Sequence, residues 1–294
     1  MFRYLAGVCL AAFAFSSPST LFAQSATTAE QERLSLIKAL QKRLPGTGPG
    51  DWQLGPAAFA GSDGDIVQSI PFNDENATNS ADILAIGKKL WDRKFKNGKS
   101  FSHCFANSGK QAAATYPQFD ARTKVVVTLE IALNRCLALH GESEIELGSE
   151  AMSRLLAYAR SLSEGQRMAI KVSSAAAKEK FDAGQALFTR RIGQNNFACA
   201  SCHVLHAGKP FGQAEPGTRE RSQPVNPIAV GQAVSWPRLE PKGLVLSPQA
   251  LFQRCMQRSG AEPFILGSEE LNNLEYFYSF LSNGMPIRTL GTAR

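Results

Sequence analysis

Five consecutive residues, Cys199-Ala200-Ser201-Cys202-His203, constrain this chain more than any other feature of its sequence. Two cysteines separated by two residues and followed at once by histidine form the pattern that attaches a c-type haem. The spacing lets both sulfurs reach the vinyl groups at one porphyrin edge and brings an imidazole beneath the iron. A zinc knuckle would need a second ligand pair, and the sequence contains no second CxxC and no HxxxH. We therefore expect one covalently attached haem c, bound through Cys199 and Cys202, with His203 as the proximal ligand.

Residues 1–23 have the composition of a cleaved signal peptide: one basic residue, Arg3, an apolar run from Leu5 to Phe15, and Leu-Phe-Ala before Gln24. No later stretch contains about 18 consecutive apolar residues, so we expect no membrane span. Loss of Arg3 with the signal lowers the net charge from +7 to +6. A signal peptide implies export, so we expect the mature chain in the periplasm. A basic chain in that compartment favours an anionic substrate or an acidic partner over nucleic acid, although a role of the charge in solubility is an equal alternative.

Apolar residues recur with helical spacing along most of the chain. The predicted helices span residues 27–44, 82–96, 128–140, 149–163, 174–190, 248–258 and 268–282. Strand patterns are scarce, and Lys124 to Thr128 is too short to define a sheet. The sequence therefore predicts a mostly α fold.

Several short segments recur at an offset of 119 residues, which indicates an internal repeat. The matching pairs are Asn134-Arg135-Cys136 with Gln253-Arg254-Cys255, Gly148-Ser149-Glu150 with Gly267-Ser268-Glu269, and Leu162-Ser163 with Leu281-Ser282. When Cys104 is aligned with Cys202, Phe101 replaces the first cysteine of CxxCH and Phe105 replaces its histidine. We therefore predict two cytochrome c-like domains, of which only the second binds haem.

The repeat also predicts the domain boundaries, because the chain changes from one copy to the next near residues 166–174. The N-terminal region precedes both copies. The predicted parts are a signal peptide at 1–23, an N-terminal helix and extended linker at 24–80, a haem-less cytochrome c-like domain at 81–170, and a haem-binding cytochrome c domain at 171–294.

Several residues are candidates for the second ligand of the haem iron, and most of them bind through sulfur. Many cytochromes c use methionine, for which Met256 and Met285 are candidates. His206 follows the proximal histidine by three residues and lies on the same side of the ring. Cys255 is favoured because it is left unpaired by the cysteine count and matches Cys136 in the repeat.

The same count predicts a disulfide. Cys9 leaves with the signal and haem uses two cysteines, so three remain in an oxidising compartment, enough for one bond. If Cys136 faced an iron before that haem was lost, it would now face Cys104. We expect these two to be joined, with a stabilisation of roughly 2–4 kcal/mol; the alternative is two free buried thiols.

Charged residues surround Cys255. Arg254 and Arg258 flank it, and cationic neighbours hold a cysteine as its reactive thiolate. The same guanidinium groups are suited to a small oxyanion. The alternative for each arginine is a solvated surface charge.

At this point the sequence resembles a known family over most of its length, from about Pro71 to Gly284. Besides CxxCH and Cys255, the segments that carry the resemblance are Asn97-Gly98-Lys99-Ser100, Ser108-Gly109-Lys110, Tyr116-Pro117-Gln118-Phe119-Asp120, Trp236-Pro237-Arg238 and Ala261-Glu262-Pro263-Phe264. Together and in this order they resemble SoxA, the catalytic cytochrome subunit of the SoxAX complex of bacterial thiosulfate oxidation. The sequence looks like the monohaem form, in which a disulfide replaces the first haem.

The resemblance implies an L-cysteine S-thiosulfotransferase that oxidatively joins thiosulfate to a cysteine of the SoxYZ carrier and passes electrons to the cytochrome SoxX. It implies that Cys255 is a thiolate ligand carried as a persulfide. Family members usually have arginine four residues before that cysteine, where this chain has Leu251, so Arg254 or Arg258 is expected to bind substrate. The alternatives are a plain periplasmic electron-transfer cytochrome with Met ligation and a non-catalytic haem subunit that docks a partner.

Overall fold

The computed structural model describes residues 28–53, 74–209, 226–240 and 243–291, so the predicted signal peptide at 1–23 lies outside the described residues. The described chain is mostly helical, as the sequence predicts. Its α-helices are α1 (Ala29–Arg43), α2 (Pro49–Trp52), α3 (Asp74–Asp92), α4 (Ala112–Thr115), α5 (Leu129–Leu139), α6 (Glu150–Ser161), α7 (Ala175–Thr189), α8 (Pro248–Arg258) and α9 (Glu269–Leu281). All seven predicted helices are present.

The boundaries of these helices follow their capping residues. Thr128 and Ser247 cap α5 and α8, and Ser149 and Ser268 cap α6 and α9, each side-chain oxygen accepting a backbone N–H from the first turn. Both pairs of caps are 119 residues apart in the sequence. The largest difference from the predicted bounds is α3, which begins and ends earlier than residues 82–96. A packed helix extends past its apolar pattern because adding a residue costs less than nucleating a turn.

Short strands connect the helices. β1 (Gln118–Asp120) pairs antiparallel with β2 (Val125–Val127), and β3 (Arg238–Leu239) pairs antiparallel with β4 (Val245–Leu246). The apolar segment near 124–128 therefore forms one strand of a minimal hairpin. None of the helices in the described part of the chain is both long and apolar enough to cross a bilayer.

The two long helix pairs of the fold cross at glycines. α3 packs on α6, and α7 packs on α9. A Cβ atom on Gly87 would lie 2.2 Å from the carbonyl oxygen of Arg154, and one on Gly184 would lie 2.0 Å from that of Asn273. Because glycine has no Cβ, the helices approach more closely than any other residue would allow. Arg154 and Asn273 are separated by the repeat offset (273 − 154 = 119).

Aromatic side chains fill the first half, residues 80–168. Trp91 stacks on Phe101 and on Phe105, each with ring centroids 5.6 Å apart, and Phe95 meets Phe101 edge-on at 5.2 Å. Phe101 and Phe105 are the residues that replace the first cysteine and the histidine of CxxCH in the sequence alignment of the two halves. Stacked apolar rings therefore surround these two positions.

The N-terminal helix covers the second half. Arg33 donates a hydrogen bond to the carbonyl oxygen of Asn283 at 3.3 Å, and Arg43 donates one to that of Leu205 at 2.6 Å. Trp52, the last residue of α2, is fully buried, and its backbone approaches Gly231. This region thus belongs to the core of the half that carries CxxCH.

The two halves meet through equivalent segments. Leu266 lies against Gly148, where an added Cβ would be 2.5 Å from the leucine Cδ1, and Leu147 lies against Gly267 at a corresponding 2.7 Å. Both glycines have positive φ, +73° and +78°. Each leucine precedes one glycine and covers the other, so the contact is reciprocal.

Buried polar side chains lie beside this contact. The amide oxygen of Gln249 accepts from the Gly267 N–H at 2.7 Å, and its nitrogen donates to Glu275 at 3.1 Å. Glu130 occupies the position 119 residues before Gln249 and accepts from the Gly148 N–H. The boundary therefore holds two buried carboxyl groups, Glu130 and Glu275.

Candidate haem and thiol site

The CxxCH segment follows α7 and lies on a short, wide helical turn, Ser201–Leu205. The Ala198 N–H donates to Ser201 Oγ at 3.0 Å, and the Ser201 N–H donates to the Ala198 carbonyl at 2.9 Å, which starts the turn. Cys199 and Cys202 are free, half-buried thiols. Burial raises the pKa of Cys199 to about 12 and also raises that of Cys202, so both sulfurs are protonated before any attachment.

His203 is held by its Nδ1 atom. That nitrogen lies 2.9 Å from the carbonyl oxygen of Pro227, which can only accept, so Nδ1 carries the proton. The Gln232 amide lies 3.0 Å from the same nitrogen. Burial lowers the pKa of His203, although the hydrogen bond to Pro227 acts in the opposite direction. The lowered pKa keeps the ring neutral. A neutral imidazole with Nδ1 engaged has Nε2 left to bind a metal.

α8 brings Cys255 to the same place. Ser247 caps the helix and Pro248 occupies its first turn. The Cys255 thiol lies close enough to those of Cys199 and Cys202 for their charges to interact. We call these three sulfurs the thiol cluster. The cluster is formed by a segment after α7 and by the distant helix α8, and it contains the three cysteines of the described residues that are not in a disulfide.

The other sulfur candidates are in the hydrophobic core. Met256 is 3% exposed and packs among core residues on the side of α8 away from its neighbour Cys255, which is solvent-accessible. Met285 is also buried in the same core. His206 is exposed. Adjacent residues of a helix point about 100° apart, so α8 cannot present Met256 and Cys255 to one site together.

Opposing effects act on the Cys255 thiol. The surrounding protein raises its pKa, and the charge of Arg258, followed by those of Arg238 and Arg254, lowers it. The side chain is solvent-accessible at the same time, which leaves it open to a reactant. The arginines therefore favour the thiolate form in a site that otherwise disfavours it.

The arginines differ in their partners. Glu240 accepts from Arg254 Nη1 at 3.0 Å and forms an ion pair with Arg238 Nε at 3.1 Å. Arg258 ends α8 and makes no ion pair with a carboxylate among the residues that the structure describes. Leu251, at the position where SoxA proteins usually have arginine, packs against the core. Arg258 is thus the arginine whose charge is open to an anion.

Tyr278 is a further residue of the site. It is 2% exposed, and its ring meets that of His203 edge-on at 6.0 Å. Its hydroxyl has no hydrogen-bond partner within the described residues, while burial and the nearby thiol cluster raise its pKa. A buried hydroxyl without a partner is rare in a packed interior. It marks polar space beside the thiols that protein atoms leave unfilled.

These residues fit a c-type haem. Two thiols at the CxxC spacing, a neutral histidine oriented by a backbone carbonyl, and a third sulfur from another helix form its donor set. Sequence reasoning found the cysteines and His203. It missed Gln232, Tyr278 and Glu240, which no motif identifies because each contacts the site only through the folding of a distant segment.

Cys104 and Cys136 lie in the other half, away from the thiol cluster. They form a disulfide with 5.8 Å between their Cα atoms. Cys136 is on α5, and Cys104 ends the short helix Phe101–His103. The bond ties these two segments together beside the aromatic rings that fill the half.

Comparison with known proteins identifies relatives of both halves. The family model described as SoxA/TsdA, cytochrome c domain, matches residues 86–168, the half that lacks CxxCH. The L-cysteine S-thiosulfotransferase subunit SoxA of Chlorobaculum tepidum is 35% identical over 200 residues, which cover 68% of this chain and 66% of that protein, just under two thirds of its length. The subunit of the same name from Allochromatium vinosum is 28% identical over 276 residues, covering 92% of each chain.

A solved structure has the same fold. The crystal structure of SoxXA from P. pantotrophus matches with a TM-score of 0.62 at 22% sequence identity, over 72% of this chain and 78% of the matched one.

Proposed function

Because the chain belongs to the SoxA family, we propose that it is the catalytic subunit of an L-cysteine S-thiosulfotransferase. The observation that carries this proposal is the thiol cluster, in which Cys255 lies near enough to the CxxCH cysteines and to Arg258 for their charges to affect it. A cytochrome that only carries electrons needs a stable second ligand and has no use for a solvent-accessible thiol among arginines. A catalyst of sulfur transfer needs an accessible thiol that reacts and a cationic group that binds the anionic substrate.

One haem c is the cofactor of this proposal: Cys199 and Cys202 would hold the porphyrin, and His203 and Cys255 would bind its iron. Bound in this way, haem supplies a one-electron acceptor whose potential is tuned by its ligands and their hydrogen bonds. Pro227 fixes the ring of His203 through Nδ1. The first half holds no haem in this proposal, because its disulfide and aromatic rings occupy the place of the ligands.

Cys255 is the reactive sulfur. The surrounding protein raises the pKa of the Cys255 thiol, and the charge of Arg258 offsets part of the rise, so the iron of a bound haem would supply the remaining stabilisation of the thiolate. An extra sulfur atom on this cysteine, giving a persulfide, is one of the reversible modifications open to a reactive thiol. The solvent-accessible position lets a carrier thiol approach it.

Arg258 binds the sulfonate end of thiosulfate. A guanidinium presents planar N–H donors that suit an oxyanion, and this one has no carboxylate partner in the described residues. Binding there leaves the outer sulfur of thiosulfate free to react. The overall reaction joins one thiosulfate to one carrier thiol: a sulfur–sulfur bond forms, the S–H bond breaks, and one proton and two electrons are released.

The partners follow from this reaction. The carrier is the SoxYZ protein, whose SoxY cysteine becomes an S-thiosulfonate, and the electrons leave to the cytochrome SoxX in a heterodimer. The predicted signal peptide at 1–23 places the enzyme in the periplasm. The chain then comprises the N-terminal helix and linker, a haem-less cytochrome c-like domain at 81–170 and the haem-binding domain at 171–294.

Substitution of Cys255 tests this function. In the reconstituted complex, Cys255→Ala should abolish turnover of thiosulfate with the carrier and remove the thiolate-type low-spin signals from the electron paramagnetic resonance spectrum. Met256→Leu, on the adjacent position of α8, is the matched control and should leave both unchanged. A spectrum that is unaltered in Cys255→Ala and altered in Met256→Leu would assign the iron ligand to methionine, and turnover that survives Cys255→Ala would show that this thiol is not the reactive sulfur.

A further inference from the structure

The disulfide of the first half has a histidine beside it. One nitrogen of His140 and the sulfurs of Cys104 and Cys136 all lie within 4.8 Å of one another. Cys136 and His140 are four residues apart at the end of α5, so they project from the same side of the helix. Cys104 comes from a different segment. The three side chains thus converge from two elements of the fold.

The surroundings of His140 resemble those of a metal ligand. Its ring stacks on Phe95 with centroids 5.2 Å apart, and its Nδ1 atom lies 2.9 Å from the Asn97 amide nitrogen. Such outer contacts orient a ligating imidazole. The Asn97 amide oxygen accepts from the Lys99 backbone N–H at 3.1 Å, so the amide nitrogen faces the ring as a donor. An ion bound through Nε2 needs the opposite tautomer of the ring, and the amide then turns and releases Lys99.

Cys104, Cys136 and His140 differ in how far they are buried. Cys136 is 3% exposed, whereas Cys104 and His140 are half-buried. The buried side keeps the ligands in place, and the open side leaves room for a water molecule at the fourth position of a tetrahedral ion. Two cysteines, one histidine and a water form one of the ligand sets that zinc adopts in proteins.

We propose that opening the Cys104–Cys136 disulfide creates a binding site for a thiophilic divalent cation, with Cys104, Cys136 and His140 as its ligands. A dithiol reductant delivers two electrons and two protons, which break the S–S bond and give two thiols, and the reductant becomes a disulfide. The cation then displaces the two thiol protons and is bound by two thiolates and a neutral imidazole. The two segments of the first half are therefore joined by a disulfide in the oxidised protein and by a bound cation in the reduced protein.

Zinc is the probe that tests this site in the full-length, haem-loaded protein. Chelator-buffered equilibrium dialysis of the phosphine-reduced protein should give one zinc ion per chain, and the air-oxidised protein should bind at least 100-fold more weakly. Zinc-edge X-ray absorption should detect two sulfur neighbours, in a spectral region that iron does not obscure. A Cys255→Ala background removes the one cysteine of the described residues that belongs neither to CxxCH nor to the Cys104–Cys136 pair.

Variants separate this site from adventitious binding. His140→Ala should weaken zinc binding strongly, and Asn97→Leu should weaken it about tenfold or more. His103→Ala is the control, because His103 is adjacent to Cys104 in sequence but is exposed and outside the cluster. Zinc affinity that is equal in the parent and His140→Ala would overturn the proposal, as would equal binding by oxidised and reduced protein.

Reduction of the disulfide lowers the stability of the first half, and the midpoint of thermal unfolding tests zinc binding in that state. Zinc should raise the midpoint of the reduced protein by several degrees and leave that of the oxidised protein unchanged, because a ligand stabilises only the state that binds it. No zinc-dependent shift in the reduced protein would contradict the proposed site.

Discussion

Gly184 lies so close to Asn273 that a single methyl group would be 2.0 Å from the Asn273 carbonyl oxygen. This contact sets the distance between α7, which leads into CxxCH, and α9, which carries Tyr278. The contact between Gly87 and Arg154 does the same for α3 and α6 in the other half, at 2.2 Å. The spacing of both helix pairs thus depends on the absence of a side chain.

Gly184→Ala should therefore destabilise the protein, although alanine favours a helix. The methyl group meets backbone atoms that cannot move aside, so we expect a loss of about 1–3 kcal/mol in the free energy of unfolding. Urea unfolding followed by circular dichroism measures it. Gln185→Ala, at the next position of α7, should change the stability little, and an equal loss in both variants would show that the contact is not responsible.

Arg258 and Arg254 should differ in their effect on catalysis. Arg258→Gln should raise KM for thiosulfate and lower kcat/KM by about tenfold to a hundredfold, the value of a charge-assisted hydrogen bond. Arg254→Gln should have a smaller effect on KM, because Glu240 already engages that arginine. Steady-state kinetics over a range of thiosulfate concentrations distinguishes them; a larger KM effect at Arg254 would reverse the assignment.

Glu275 should make stability depend on pH. Burial and then the charge of Glu130 raise its pKa to about 8, while Gln249 and Arg160 oppose the shift. Burial also raises the pKa of Glu130 to about 7. As the pH rises from about 4.5 to 8, the unfolded chain releases these protons and the folded chain keeps them, so the free energy of unfolding falls.

Glu275→Gln should flatten this dependence and stabilise the protein at pH 8 by roughly 2–4 kcal/mol, because the amide retains an oxygen for Gln249 and carries no charge. Chemical unfolding at pH 5 and at pH 8 measures the difference. Glu270→Gln on the exposed side of α9 is the control and should behave like the parent. A parallel shift of the whole profile in Glu275→Gln would mean that the proton is held elsewhere.

Removal of the disulfide should affect the first half alone. The double variant Cys104→Ser and Cys136→Ser should lose about 2–4 kcal/mol of stability and keep its haem content and spectrum. Intact-mass analysis after alkylation without reductant should leave both cysteines of the parent unlabelled. Labelling of both would contradict a disulfide between them. Loss of haem from the double variant would show that the effect of removing the disulfide extends beyond the first half.

The sequence predicts what depends on local order. Six of the seven predicted helices, all except α3, combine an apolar spacing with a capping serine or threonine a few residues away. The ligand pattern of Cys199, Cys202 and His203 is equally local, since covalent spacing along one turn defines it. The mostly α fold and the membership in the SoxA family were therefore accessible from the chain alone.

Only the tertiary structure decides which distant groups meet. It brings Cys255 to the CxxCH cysteines and packs Met256 into the core, although the two residues are adjacent. It pairs Arg254 with Glu240 and leaves Arg258 open, and it places Tyr278 beside His203. Such choices depend on how α8 and α9 are rotated and packed against the rest of the protein. That rotation is set by close contacts between segments far apart in sequence, which no local pattern records.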